Sequence, residues 1–408
     1  SCADSKLIRK DRSQMKIIDG GVTAPKGFKA AGISCGLKKN GNKDLALVVS
    51  ECACTAAGTF TTNAVKAAPV QWCIDKLASG GEMRAVILNS GNANCCTGAN
   101  GIKDNERMAE MAAKVAGISP EQVFTGSTGV IGQRLDIGKI ENAASALSAA
   151  LSSDRSAAAD AVRAIMTTDT VPKESAVCTE IGGKTVTVGG MSKGSGMIHP
   201  NMATMLCTIV TDAAVSRECL QKIASEVVSD TFNMISVDRD TSTNDSYFLL
   251  ANGLAGNETI VSENEDYTKL YEVVRYVAED LAKKMAADGE GATKLFEVTV
   301  KGAASRKAAK ILARSVVSSN LVKAAIFGSD ANWGRILCAL GYSGESFDPT
   351  RVEIYFSAGD KQIKIAENGM AVNYSEEEAS EILSEKAITI TADLHSGDHS
   401  ATAWGCDL

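Results

Sequence analysis

Four polar, glycine-rich segments hold most of the residues that could do chemistry. They are Asn89-Ser90-Gly91-Asn92-Ala93-Asn94, Thr125-Gly126-Ser127-Thr128-Gly129-Val130-Ile131-Gly132, the run from Gly189 to Leu206, and Asp288-Gly289-Glu290-Gly291-Ala292-Thr293-Lys294. Most adjoin apolar runs, and α/β enzymes place their sites in loops at the ends of such elements. Taken singly, each is a candidate turn. A phosphate loop fails in the third segment, because Lys193 is followed by Gly194 rather than Ser or Thr. A Ser-His-Asp hydrolase is poorly supported. Gly-x-Ser-x-Gly occurs at Gly32–Gly36 and Gly190–Gly194, but neither runs into a helix as a nucleophile elbow must. His395 and His399, near Asp393 and Asp398, read as a solvated polar turn. Zinc is not expected: the 12 cysteines form no Cys-x-x-Cys pair and only three histidines exist. Those thiols are expected to be reduced and structural.

The elements that must position these segments alternate Val/Ile-rich runs with Ala-rich amphipathic ones, an α/β pattern. Strands are expected at Leu45–Ser50, Gly58–Asn63, Ala85–Asn89, Lys184–Val188 and Leu206–Asp212. The second of the Gly-x-Ser-x-Gly motifs falls in a loop expected from Gly189 to Gly196. Helical spacing covers Glu106–Ala116, one or two helices within Lys139–Met166 broken near Ser152–Asp154, and Tyr267–Ala287. That last run ends at Asp288-Gly289-Glu290-Gly291, where glycines stop helices, and a domain boundary is placed near here. Strands at Leu295–Lys301, Val352–Ser357, Gln362–Ala366 and Ala387–Asp393 follow, with helices from Ser305 and over Ser375–Ser384.

The 408 residues suggest two or three domains. With 45% hydrophobic and 22% charged residues, a sizeable core is expected. The net charge is −7, and no segment concentrates Lys and Arg among aromatics. Neither nucleic acid nor a membrane is expected as a partner. No apolar run approaches the roughly 20 residues of a membrane span. Small zwitterionic ligands fit, since one local cation can bind them whatever the overall charge.

Together the segments resemble something specific. The run Lys193-Gly194-Ser195-Gly196-Met197-Ile198-His199-Pro200-Asn201-Met202-Ala203-Thr204-Met205-Leu206 closely resembles the self-cleavage region of the ornithine acetyltransferase, or bifunctional glutamate N-acetyltransferase, family. Gly20–Ala24 with Gly27-Phe28, Phe60–Asn63, Asn89–Asn94, Ser127–Gly132, Met166–Thr170, Asp288–Lys294, Ser329–Arg335 and Trp404–Leu408 also look like that family, in its order.

The resemblance implies cleavage between Ala203 and Thr204, yielding an alpha chain, 1–203, and a beta chain, 204–408. Thr204 is then the acetyl-carrying nucleophile. Its freed α-amino group, with an ordinary pKa of about 7.7–8.0, serves as base. Thr128 and Gly129 supply the oxyanion hole. Lys193 pairs with a substrate carboxylate, Glu290 pairs with the ornithine side-chain ammonium or helps move the α-amine proton, and Thr167, or Thr168 beside it, binds substrate. The reaction implied is ping-pong transfer of acetyl from N-acetylornithine to glutamate in arginine biosynthesis, with no metal, nucleotide or organic cofactor. Use of acetyl-CoA stays open.

The fold expected is mixed α/β: a layered catalytic domain over 1–285 that spans the cleavage point, and a smaller α/β domain over 286–408. The cleaved chains are expected to stay interlocked and to pair as a dimer of cleaved units. The compartment expected is the cytoplasm for a bacterial source and a plastid or mitochondrion for a eukaryotic one. A self-processing amidase or aminopeptidase, in which water resolves the acyl-enzyme, is the alternative. The family's chain also continues past Trp-Gly-Cys-Asp-Leu with a short substrate-contacting tail. Residues 1–408 without it are expected to self-cleave but to transfer poorly.

Overall fold

The computed structural model describes residues 15–198 and 205–408. In chain order the first strands are β1 (Lys16–Ile17), β2 (Phe28–Ile33), β3 (Leu45–Phe60), β4 (Met83–Asn92), β5 (Val123–Val130), β6 (Lys173–Ile181), β7 (Lys184–Lys193), β8 (Leu206–Thr211), the two-residue β9 (Ile235–Ser236) and β10 (Ser246–Ala251). All but β9 form one sheet, in the order β1-β6-β7-β8-β10-β3-β4-β5 with β2 paired to β3. Then come β11 (Leu295–Ala303), β12 (Glu353–Ala358), β13 (Lys361–Glu367), β14 (Met370–Ala371), β15 (Ala387–Asp393) and β16 (His399–Cys406). With β9 they build a second sheet, β14-β13-β12-β15-β11-β16-β9. The protein is mixed α/β.

Three expectations change for physical reasons. The separate strands Leu45–Ser50 and Gly58–Asn63 are the two halves of β3. Its first half pairs with β2 and β4, its second with β10, and the register shifts between Val49 and Cys54. Pairing stops at Phe60. The loop expected over Gly189–Gly196 begins five residues late, because β7 continues to Lys193. Its glycines serve close packing, not a turn. A Cβ on Gly189 would fall 2.1 Å from Gly21 O, and one on Gly190 3.0 Å from Val277. Lys139–Met166 holds three helices, Ile137–Asn142, Ala144–Ala150 and Arg155–Ile165. The break before the third falls where Ser152 exchanges backbone hydrogen bonds with Ala30 of β2.

Helix Glu265–Ala287 joins the two sheets. Asn264 caps it by accepting the Tyr267 N–H. Leu270, Val273, Val274, Val277, Leu281 and Met285 are buried at successive i, i+3 and i+4 positions. They pack on β6 and β7 on one side and reach β16 on the other. One buried apolar cluster therefore runs through both sheets. Each buried Val or Leu there contributes about 1.5–3 kcal/mol. All described cysteines are free thiols. No described helix is long and apolar enough to cross a membrane.

The register brings strand ends into one row. Lys193, last in β7, pairs with Leu206, first in β8; Leu206 pairs with Ser246, first in β10; Ser246 pairs with Phe60, last in β3. Further along, Ser90 and Gly91 of β4 pair with Thr128 and Gly129 of β5.

Candidate active site

A cavity of ≈ 450 Å³ opens at this row of strand ends. Thr128, Gly129, Thr167, Thr168, Lys193 and Glu290 all line it. Six polypeptide segments therefore meet there: the loop after β4 with Ala93, β5 and the turn after it, the loop after helix Arg155–Ile165, the end of β7 with its following loop, the turn after helix Glu265–Ala287, and a stretch before β10 that sequence reasoning had not singled out. That stretch contributes Asp238, Asp240, Ser242, Thr243 and Asn244. The expected cleavage residues Ala203 and Thr204 lie outside the described residues, as does His199. Met197, on the upstream flank, lines the cavity. His395, between β15 and β16, and His399, first in β16, do not.

Lys193 is 3% exposed and donates to Thr128 Oγ1 at 3.3 Å. A hydroxyl that accepts from an ammonium keeps its own hydrogen free to donate, and the adjacent charge strengthens that donation. Burial pushes Lys193 below its ordinary value, opposed mainly by Asp169. Gly129 has φ +134°, and a Cβ there would fall 2.4 Å from Gly91 C. Only glycine lets β5 lie this close to β4 in that conformation.

Behind the cavity sits a buried ionic hub. Lys173 Nζ donates to Asp169 Oδ1 and to Asp288 Oδ2, each at 2.6 Å. Asp169 also accepts the N–H groups of Gly194 at 2.8 Å and Thr167 at 3.0 Å. Asp288 accepts the Thr170 N–H and hydroxyl, and its carbonyl accepts the Ser195 hydroxyl at 2.6 Å. Burial alone would raise Asp169, but Lys193 and Lys173 hold it below its usual range. Thr167 and Glu290 thus each sit two residues from a carboxylate bound to Lys173, and Lys193 precedes Gly194, whose N–H Asp169 holds. The hub was not legible from a lone lysine beginning a strand.

Carboxylates line the cavity as well. Glu290 lies over Gly196, where a Cβ would fall 2.3 Å from its Oε1. Asp238 and Asp240 join it on the lining. One buried cation and several carboxylates on the same lining suit a ligand that carries both a carboxylate and an ammonium. Both Thr167 and Thr168 line the cavity, so position alone does not separate them. Among the described residues no cluster of His, Cys, Asp and Glu fits a metal ion.

Comparison with known proteins agrees along almost the whole chain. A model of the ArgJ family matches residues 29–408. The arginine biosynthesis bifunctional protein ArgJ of Symbiobacterium thermophilum is 53% identical over 396 residues, covering 97% of each chain. That of Thermotoga neapolitana is 50% identical over 385 residues, 94% of this chain and 96% of its own. Among solved structures, the ornithine acetyltransferase of Mycobacterium tuberculosis complexed with ornithine is 39% identical, covering 47% of this chain and 100% of that one, with a TM-score of 0.43.

Proposed function

The chain belongs to the ArgJ family, and we propose that it transfers an acetyl group from N-acetylornithine to glutamate through an ester on Thr204, within arginine biosynthesis. The observation that carries this reading is the single cavity shared by Thr128, Gly129, Lys193, Glu290 and Thr167/Thr168, with Met197 of the cleavage segment on its wall.

The chemistry follows from those groups. The Thr204 hydroxyl attacks the acetyl carbon while the Thr204 α-amine takes its proton. The oxyanion formed is met by the Thr128 hydroxyl and Gly129 N–H. The C–N bond then breaks, the proton passes to the leaving amine, and ornithine departs. The glutamate amine attacks the resulting ester through a second oxyanion, and the Thr204 oxygen leaves with a proton. Glu290 holds the ornithine ammonium, and Lys193 attracts the substrate carboxylate while polarising Thr128.

Autoproteolysis belongs to the same reading. The Thr204 hydroxyl attacks the Ala203 carbonyl, the amide becomes an ester, and water releases chains 1–203 and 204–408. The two chains remain interlocked, since β7 and β8 lie next to each other on either side of the cut, and two such units pair as a dimer. A boundary near residue 286 is supported by the second sheet, built from residues 295–406 apart from β9. The word bifunctional in the relatives' names supports acetyl-CoA as a second donor.

Intact-mass measurement after incubation with N-acetylornithine tests this. One acetyl group is expected on the 204–408 chain, discharged by glutamate faster than by water. Thr204→Ala should stay a single chain and take no label. Discharge by water alone, at the same rate with or without glutamate, would favour the amidase alternative and sink the transfer reading.

A further inference from the structure

The stretch from Val237 to Ser246 grips both flanks of the segment that carries Ala203 and Thr204. Upstream, the Val237 N–H donates to Ile198 O at 2.6 Å. The Asp238 carboxylate accepts the N–H of Ile198 at 2.8 Å and that of Met197. Downstream, Asp245 Oδ1 accepts the Met205 N–H at 2.7 Å, and the Ser246 N–H donates to Met205 O at 2.9 Å. Both backbone polar groups of Met205 are therefore held by two consecutive residues at the head of β10.

The downstream grip is unusual in its chemistry. The parallel ladder of β8 and β10 begins at Leu206 and Ser246. One step before it, a side-chain carboxylate stands where a strand backbone would serve. Asp245 is fully buried, and burying a carboxyl is costly unless its hydrogen bonds compensate. Burial pushes Asp245 well above its usual range, while the Met205 N–H and the Lys193 charge pull the other way. Asp245 does not line the cavity; it reaches the site through its hydrogen bond to Met205 and through its charge near Lys193.

Cleavage explains why such a bond is needed. Before the cut, residue 204 is constrained by chain on both sides. Afterwards it is a chain end, and the first residues of a chain are poorly ordered unless tied down. A nucleophile misplaced by about 1 Å can cost ~10²-fold in rate. We infer that Asp245 is a positioning residue: its bond to the Met205 N–H fastens the new N-terminus of the 204–408 chain so that Thr204 stays in register with the oxyanion donors. The inference rests on the proposed cleavage before Thr204.

Asp245→Ala removes the acceptor, whereas Asp245→Asn keeps an amide oxygen able to take the same N–H. In Asp245→Ala, kcat for acetyl transfer should fall at least about tenfold, while the KM for N-acetylornithine moves less than about twofold. Self-cleavage should slow less, because residue 204 is then still held by chain on both sides. Asp245→Asn should stay within about threefold of the unmutated enzyme in both. If the unmutated chain itself never cuts, the proposed reaction has failed and takes this inference with it. If it cuts and Asp245→Ala matches it in cutting and in kcat, only the positioning role is wrong. An Asp245→Asn variant as slow as Asp245→Ala would equally overturn the anchor. Should Asp245→Ala not fold, amide hydrogen exchange on the unmutated cleaved enzyme decides. Protection of the Met205 amide together with β8 upholds the anchor, and free exchange there overturns it.

Discussion

Among the described residues two lysines are completely buried, one against each sheet, and they are held in different ways. Lys173, first in β6, is clasped by the carboxylates of Asp169 and Asp288. Lys323, in helix Asn320–Phe327 against the second sheet, donates to the carbonyls of Cys406 at 2.6 Å and Ser236 at 3.2 Å, with the Phe296 ring centroid 5.6 Å away. Its partners are neutral, and burial lowers its pKa. Lys323 thus fastens strands that the β9–β16 ladder already joins. Lys173 instead holds loops that no ladder joins. Those loops line the cavity. The buried charge pair here ties together loops at the cavity, whereas the buried charge on carbonyls reinforces a strand pairing already made.

The sharpest way to break that comparison is Lys173→Met. It leaves two carboxylates buried without their cation, and breaking a buried pair from one side costs about 3–5 kcal/mol. A marked drop in Tm is expected, with kcat/KM for acetyl transfer down by about 10²-fold as the loops holding Thr167, Lys193 and Glu290 come apart. Calorimetry and initial rates check both. Full transfer activity in a folded Lys173→Met would reduce the hub to scaffold.

Lys323→Met should do less. Two carbonyls lose their donor, a cost of about 1–3 kcal/mol each at most. Stability should fall in denaturant melts while kcat stays within about threefold. A loss of activity as large as that of Lys173→Met would erase the distinction between the two lysines.

The smallest expected effect is in the acid limb of stability. Asp169 has a folded pKa below its unfolded one, so the unfolded chain binds its proton more readily. Its contribution is complete above the ordinary carboxylate value of about 3.9 and is lost as pH falls through the lower folded value. Asp169→Asn should therefore melt earlier than the unmutated protein at neutral pH, with the gap closing below about pH 4. Parallel melting curves across that range would mean Asp169 gains nothing from Lys173 and Lys193.

Glycine-rich motifs beside strands were the most readable parts of the site. Thr125–Gly132 and Asp288–Lys294 both reach the cavity. Val237–Asp245 did not stand out, because an acidic, hydroxyl-rich stretch without glycine looks like a solvated connector. Its importance comes from hydrogen bonds spanning about forty residues, from Asp238 to Met197 and Ile198 and from Asp245 to Met205. Gly189 and Gly190 misled in the other direction. Glycine punctuates turns and also permits close packing, and a single sequence does not say which.

What the residues alone determined was local. The Tyr267–Ala287 periodicity marked its helix, which starts two residues earlier at Glu265, and Ala387–Asp393 marked β15 over the same residues. The ordered motifs marked the family, because motif identity and repeat period are properties of neighbouring residues. Which charges would be buried was decided only in three dimensions. Lys173 meets Asp288 across 115 positions, and Lys193 meets Thr128 across 65. A lysine has no intrinsic preference for burial; it goes inside only where the fold has already gathered the oxygens that offset its lost water.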